Sequence, residues 1–255
     1  MSTLYIVATP IGNLEDISMR AVRILNEVDF ILCEDTRVTQ KLLSHYKINT
    51  KTISYHQHSG ETKETKIIDM LRDGKNLALV SDAGTPGISD PGGKLVQAVI
   101  ENFGEDGNVQ VESVPGPSAV TAALSISGIP TDKFVFLGFP PHKKGRQSFL
   151  NRVVDSELPV VVYESKHRIL KFLDELDELN TKIDAENKKL DIELKHAKRK
   201  DVESKKRKPV SSVVVCREIS KMHETVYRGA LQTIKNKITE NKDDQKGEFV
   251  LILGK

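Results

Sequence analysis

Residues 81–93, Ser81-Asp82-Ala83-Gly84-Thr85-Pro86-Gly87-Ile88-Ser89-Asp90-Pro91-Gly92-Gly93, combine residue types suited to gripping a small ligand. Gly84, Gly87, Gly92 and Gly93 permit positive φ and let the backbone approach a bound molecule closely. Pro86 and Pro91 stiffen the turn and lower the entropy lost in presenting it. Asp82 and Asp90 can accept hydrogen bonds from hydroxyl or amino groups. A plain capped turn, with Ser89 or Asp90 capping the next helix and Pro91 near its start, would occupy only a few of these positions. The chemistry expected is the holding of a small nucleotide-like cofactor.

Three further loops carry unusual residues. Glu34-Asp35-Thr36-Arg37 puts two carboxylates and a guanidinium at the end of an apolar run, suited to acid/base or substrate-positioning work. The same residues also read as a helix start, with Asp35 or Thr36 as cap and Arg37 in a surface ion pair. Pro115-Gly116-Pro117-Ser118-Ala119 opens a segment with small residues at 119, 122 and 123, which allow close approach of a flat ligand or another backbone. Thr9-Pro10-Ile11-Gly12-Asn13 stands where a dinucleotide fold keeps G-x-G-x-x-G; that fingerprint and the P-loop are both absent, which disfavours a phosphate cradle. His56 and His58 have no acid or cysteine at ligand spacing, so no metal is expected.

These loops need a scaffold, and the N-terminal half supplies an alternating one. Strands are predicted at Leu4–Ala8, Val28–Cys33, Lys51–Tyr55, Asn76–Val80 and Val109–Val114. Helices fall between them at Ile17–Asn26, Thr36–His45, Glu61–Arg72 and Gly93–Asn102. Short β–α alternation specifies a mostly parallel sheet with helices on both faces. In such sheets ligands sit outside the carboxyl ends of the strands, where all four loops fall.

Pro115-Gly116-Pro117-Ser118 interrupts the pattern, so the chain divides into an N-terminal α/β domain, 1–114, and a C-terminal α/β domain, 115–255. The second half is read as a helix at Ala119–Ser127 and a mixed sheet of strands at Phe134–Phe139, Pro159–Tyr163, Ser211–Arg217, Glu224–Arg228 and Glu248–Leu253. A long charged helical stretch spans about 168–208. Ile169, Phe172, Leu173, Leu176 and Leu179 give its first part a core-facing side. From about 180 to 208 it reads as an insertion, a solvated helical hairpin or a loop.

Hydrophobic residues at 38% and charged residues at 29% describe an ordinary globular protein with no apolar run of membrane-spanning length, and no secretion leader is expected from Met1-Ser2-Thr3 and the strand-like run after it. The net charge is +2, yet Lys195–Lys208 alone contributes eight basic residues against two acids. The protein as a whole is therefore not a basic nucleic-acid coat; one short segment is basic. The two cysteines, Cys33 and Cys216, lie in apolar runs and read as small buried hydrophobes, and a cytoplasmic setting is expected.

Ten segments, in order and over nearly the whole chain except about 180–208, resemble the 16S ribosomal RNA (cytidine-2′-O)-methyltransferases of the tetrapyrrole methylase superfamily. They are VATPIGNLEDISMRA (7–21), CEDTR (33–37), LLSHY (42–46), SDAGTPGISDPG (81–92), PGPSAVTAAL (115–124), GIPTDKFVFLGFPP (128–141), VVVYESKHR (160–168), CREISKMHE (216–224), YRGAL (227–231) and KGEFVLIL (246–253). The resemblance implies a two-domain class III methyltransferase fold with S-adenosylmethionine in the interdomain cleft, a homodimer, and 16S ribosomal RNA or the 30S subunit as substrate. It assigns cofactor contacts to Pro10, Asp82, Ala83, Gly84, Thr85, Ile88, Ser89, Ser118 and Ala119, with Tyr163, Arg217 and Glu218 from the second domain.

The implied reaction is attack of a ribose 2′-oxygen on the activated methyl group, for which no metal is needed and a general base is. Glu34 and Asp35 are the candidate bases, with Arg37 orienting phosphate or ribose. RNA phosphates are expected to meet Lys143, Lys144 and Arg146, and Lys166, His167 and Arg168. The basic segment 195–208 departs from the family pattern and reads equally as an RNA-grasping arm or as a solvated loop. Two rival functions remain at this point: an enzyme of the same fold acting on a tetrapyrrole or corrin precursor, and a cofactor-binding assembly protein without turnover.

Overall fold

The computed structural model describes residues 1–56, 61–90, 92–104, 107–197 and 206–255. The chain divides into two units, Met1–Ala119 and Val120–Lys255.

The first unit is built on five parallel strands, β1 (Ser2–Val7), β2 (Phe30–Cys33), β3 (Lys51–Ser54), β4 (Leu77–Val80) and β5 (Val109–Val114), in the order β3-β2-β4-β1-β5. The continuous apolar run of β4 is buried at every position, as a central strand covered on both faces requires. Alternate residues feed two separate cores. Val7, Ile31, Cys33, Ala78 and Val80 pack with α1 (Met19–Glu27) and α2 (Thr36–His45). Leu4, Leu32, Leu77 and Leu79 pack with α3 (Glu61–Arg72) and α4 (Gly93–Phe103). The helix starts are set locally: Ser18 caps α1 by accepting from the Ala21 amide at 3.1 Å, and Asp35 caps α2 by accepting from the Arg37 amide at 2.8 Å. The alternative reading of Ser89 or Asp90 as the cap of α4 does not hold. Gly92 takes the cap position at φ 136° with no side-chain cap bond, because a Cβ there would stand 3.0 Å from Leu79 Cδ2.

The second unit holds a mixed sheet in the order β6-β7-β10-β8-β9, formed by β6 (Val135–Gly138), β7 (Val160–Ser165), β8 (Ser212–Arg217), β9 (Thr225–Gly229) and β10 (Glu248–Gly254). Only β6 and β7 pair parallel; β10 runs antiparallel to β7 and β8, and β9 antiparallel to β8. One face carries Val160, Val162, Val213, Val215, Leu251 and Leu253 against α6 (Arg146–Asp155), α7 (Ile169–Ala197) and α8 (Leu231–Glu240). The expected core positions of α7, Ile169 to Leu179, are buried.

The expected helix α5 (Ala119–Ser127) is present, and two helices were not expected, α6 and α8. Lys143 and Lys144 lie in a loop as read, but Arg146 is already the first residue of α6. The insertion also differs from its reading. α7 continues as one helix to Ala197, and Ile183 is as buried as the first part of the helix. Asn180 brackets the Val210 backbone and Asn187 that of Arg207, each side chain both donating and accepting. Residues 198–205, the centre of the basic segment, lie outside the described residues, as do His58 and Pro91. Both cysteines are free and buried. Among the described residues no helix is long and apolar enough to cross a membrane.

Candidate functional site

The strand order brings the loops of the first unit to one edge. β2, β4, β1 and β5 are consecutive neighbours, so the loops after Cys33, Val80, Val7 and Val114 leave the same carboxyl end side by side. They are tied to one another. Thr9 and Gly84 exchange backbone hydrogen bonds of 2.9 and 3.0 Å, an isolated antiparallel bridge beyond the parallel strands. The Thr9 hydroxyl donates to the Ser81 carbonyl at 3.0 Å, and the Ser81 hydroxyl to the Gly84 carbonyl at 3.1 Å. The Thr85 hydroxyl donates to the Pro117 carbonyl at 3.4 Å. The Asp35 amide donates to the Asp82 carboxylate at 3.3 Å.

Gly84 is at the centre of this arrangement, with φ +84°, and a Cβ on it would touch Ile11 at 3.4 Å and the Pro117 carbonyl at 3.8 Å. Three loops thus meet at one residue without a side chain. Gly116 is similarly close to Ala8, whose Cβ would lie 3.1 Å away. Ser89 holds a left-handed conformation (φ 58°) that non-glycine residues rarely adopt. The pinned inner residues Ser81 and Gly84 are buried, and so is Pro10. Asp82, Ala83, Ile88 and Ser89 face outward. A carboxylate and an isoleucine exposed on one loop suit a ligand with hydroxyl or ammonium groups and an apolar ring. Among the described residues no group of His, Cys, Asp and Glu could hold a metal ion.

The two candidate bases differ sharply. Asp35 accepts from the Arg37 amide at 2.8 Å and pairs with the Arg37 guanidinium through both carboxylate oxygens, at 3.1 and 2.7 Å. These bonds to Arg37 bring its carboxyl down to about 2. A carboxylate so stabilised in its ionised form is a poor proton acceptor. Asp35 is the helix cap and the counterion of Arg37, which weighs against it as the base. Glu34 is exposed and has no hydrogen-bond or ion-pair partner among the described residues. The Arg37 side chain is 88% exposed, free on its outer side to meet an anion.

In the second unit several expected ligand contacts prove to be internal. The Arg217 side chain is buried and donates to three backbone carbonyls: Lys246 at 2.8 Å, His223 at 3.0 Å and Asp243 at 2.6 Å. Glu218 takes the Lys221 ammonium at 2.9 Å and the Glu248 amide at 2.9 Å. Arg146 is buried on Glu175 (2.7 Å), and the partly buried Arg168 pairs with Glu164 (2.9 Å). Burial raises the Glu164 carboxyl, against the opposing pull of the Ser165 amide and the two arginines. The Arg146 guanidinium is enclosed, which weighs against direct phosphate contact by it. Lys143, Lys144, Lys166 and His167 remain exposed. Tyr163 is half-buried between two phenylalanines, its ring 5.0 Å from that of Phe136 and 5.4 Å from that of Phe139.

Sequence reasoning passed over Glu164 and Glu175, and it marked the loop that Thr9 opens without giving the Thr9 side chain a role. The two acids sit in runs of charge whose internal pairing only the fold reveals.

Comparison with known proteins agrees with this architecture. Residues 3–235 match the family model of tetrapyrrole (corrin/porphyrin) methylases. A relative from Synechocystis sp. is 42% identical over 254 residues, covering 99% of this chain and 79% of its own. One from Hydrogenobaculum sp. is 41% identical, covering 99% and 95%. Both are named ribosomal RNA small subunit methyltransferase I. Among solved structures, a cobalt precorrin-4 methyltransferase of cobalamin biosynthesis superposes with a TM-score of 0.63 at 18% identity, covering 99% of this chain and 94% of that one. A diphthine synthase gives 0.63 at 14% identity, with coverage of 100% and 90%. At such identities the structures speak for the fold alone. The fold and the close relatives together place this chain in the tetrapyrrole methylase family, in its ribosomal RNA small subunit methyltransferase I branch.

Proposed function

We propose that this protein methylates the ribose 2′-oxygen of a cytidine in 16S ribosomal RNA, using S-adenosylmethionine as donor. The observation that carries the reading is the convergence of four loops at one sheet edge, locked through Thr9, Gly84, Thr85 and Asp82, in a chain of this family. The donor fits that edge by chemistry: an exposed carboxylate, Asp82, suits its ribose hydroxyls or ammonium, and Ile88 suits its purine. Neither dinucleotide nor P-loop glycine spacing is present to demand a phosphate. Pro10, Ala83, Gly84, Thr85, Ser89, Ser118 and Ala119 would line the same ligand, largely through their backbone. Bound there, S-adenosylmethionine supplies a methyl carbon already activated by its sulfonium.

The chain's own residues then have two tasks, to place the 2′-hydroxyl and to take its proton. Glu34 is the proton acceptor in this reading, since it alone of the acid pair is unpaired. Arg37, fixed on one edge by Asp35, turns its exposed side to an RNA phosphate or ribose. Lys143, Lys144 and Lys166 provide sequence-independent phosphate contacts. The residues at 163, 217 and 218 contribute by shape and backbone, because the Arg217 and Glu218 side chains are engaged within their own unit. A homodimer working in the cytoplasm on 16S ribosomal RNA or the 30S subunit completes the proposal.

The test offers labelled S-adenosylmethionine with 30S particles, free ribosomal RNA or a porphyrinogen, and maps where the label lands. Label on a cytidine ribose of the small-subunit RNA supports the reading. Label on the tetrapyrrole, or S-adenosylmethionine binding with no transfer to any of the three, refutes it.

A further inference from the structure

Phe139 is a large aromatic side chain left 51% exposed at the end of β6, in a unit whose other phenylalanines include several that are fully enclosed. It is not loosely held. Its ring leans on Tyr163 at 5.4 Å with a 59° tilt, and Tyr163 in turn meets Phe136 edge-on at 5.0 Å. The next two residues are prolines whose carbonyls are gripped from within: Arg168 Nη1 donates to Pro140 at 3.0 Å, and Arg146 Nη1 to Pro141 at 3.1 Å.

Both guanidinium groups are themselves fixed. Glu164, 1% exposed, forms an ion pair with Arg168 Nε at 2.9 Å and lies 3.9 Å from Arg146 Nη1, while Arg168 Nε donates to the Ser165 hydroxyl at 3.3 Å and Glu175 accepts from Arg146 Nε at 2.7 Å. Lys143 and Lys144 follow on the same segment, exposed and without ion pairs among the described residues. Gly145, left-handed at φ 85°, closes the loop into α6. The result is a braced segment that offers one open aromatic face and two free cations.

That combination matches the recognition of unpaired nucleotides, in which a base stacks on an aromatic ring and neighbouring phosphates meet cations. A paired base inside a helix has no free face for such a ring. The geometry points to Phe139 as the residue that stacks an unpaired base of the RNA substrate, with Lys143 and Lys144 on adjoining phosphates and Glu164 as the positioning residue that holds the loop through Arg168 and Arg146. This rests on the RNA methyltransferase reading above.

Binding of a fluorescent single-stranded oligoribonucleotide and of 30S particles is measured for the wild type, Phe139→Ala, Phe139→Trp and Phe139→Leu, alongside calorimetric titration with S-adenosylmethionine. Phe139→Ala is expected to weaken RNA binding about five- to hundredfold, as loss of one stacked base does, with the salt slope and S-adenosylmethionine affinity unchanged. Tryptophan restores binding and leucine does not, which separates stacking from mere apolar cover. The double variant Lys143→Ala/Lys144→Ala lowers the salt slope by about 1.4, two phosphate contacts on a single strand.

Glu164→Gln and, separately, Arg168→Lys weaken RNA binding and raise the RNA KM more than they lower kcat. Equal RNA binding by the wild type and Phe139→Ala, or full rescue by leucine, overturns the stacking assignment. An unchanged RNA affinity and KM in folded Glu164→Gln or Arg168→Lys overturns the positioning one. A wild type that binds neither RNA form sinks the functional reading together with this one. A wild type that methylates RNA while Phe139→Ala behaves identically sinks only this one.

Discussion

Arg217→Lys separates a structural role from a cofactor contact at a residue where sequence resemblance and geometry disagree. The arginine fork spans three carbonyls, at 2.8, 3.0 and 2.6 Å, which belong to two different segments, and it lies 3.7 Å from the Asp244 carboxylate. A lysine ammonium is a single nitrogen on a flexible stem and cannot meet carbonyls spread around a planar group. It keeps one of the three and abandons two. A hydrogen bond from a charged donor is worth about 1.5–3 kcal/mol, and water partly replaces the lost partners near the surface, so the expected loss is about 2–4 kcal/mol. For a unit of this size that lowers Tm by roughly 5–15 °C. Scanning fluorimetry reads the Tm, and calorimetric titration at 25 °C, where the variant is still folded, reads S-adenosylmethionine affinity. The geometry requires a clear fall in Tm with affinity held within about twofold. A tenfold weaker affinity with an unmoved Tm refutes it and returns Arg217 to the cofactor.

Glu34→Gln is expected to slow single-turnover methyl transfer by about a hundredfold or more, the usual worth of a general base, at unchanged cofactor and RNA affinity. Asp35→Asn keeps most of the rate, because asparagine caps a helix as well as aspartate; a full rate in the first variant or a dead second one reverses the assignment. The Asp35 carboxyl sits at about 2 in the folded chain against an ordinary 3.8. Its pairing with Arg37 therefore adds stability above about pH 4 that drains away as pH falls through 2. The stability gap between wild type and Asp35→Asn, followed by urea titration, should be constant above pH 4 and shrink below it. Gly84→Ala and Gly74→Ala form a matched pair, both at φ +84°, and each carries the left-handed penalty of about 1–2 kcal/mol. Only the first, touching Ile11 and Pro117, should also weaken S-adenosylmethionine binding; equal affinities would remove Gly84 from the site.

The first unit was legible because its scaffold and its site use the same signals. Continuous apolar runs mark buried parallel strands, and the residues that end them, Cys33-Glu34, Val80-Ser81 and Val114-Pro115, mark the carboxyl edge where ligands bind. The strand order, which makes those loops neighbours, was not written in any one of them. The second unit hid more. α8 carries Leu231, Ile234 and Ile238 at helical spacing and could have been found by period alone. The extension of α7 could not, since besides Ile183 it is held by Asn180 and Asn187 clasping the backbone of Val210 and Arg207. Such bonds leave no periodic trace. Ser89 and Asp90 looked like a cap for α4 by type, yet the position falls to Gly92 because Leu79 leaves no room for a Cβ.

The different placement of the basic residues has a physical cause that sorts them. Lys143, Lys144, Arg146, Lys166 and Arg168 are equivalent as charge in a sequence, and all five were expected to face RNA. The fold sends the lysines outward and both arginines inward. A guanidinium is weakly hydrated and its planar fork can satisfy a carboxylate and a carbonyl at once, as Arg146 does with Glu175 and Pro141, and Arg168 with Glu164 and Pro140. An ammonium is strongly hydrated and is costly to enclose. Arginine within a mixed KxxR-like run beside buried acids is thus the brace, and lysine the contact. On that division, Arg146→Lys should cost stability with little change in the RNA salt slope, while Lys143→Ala should lower the slope by about 0.7 at unchanged Tm. The opposite pairing of effects would show that the two residue types had been sorted wrongly.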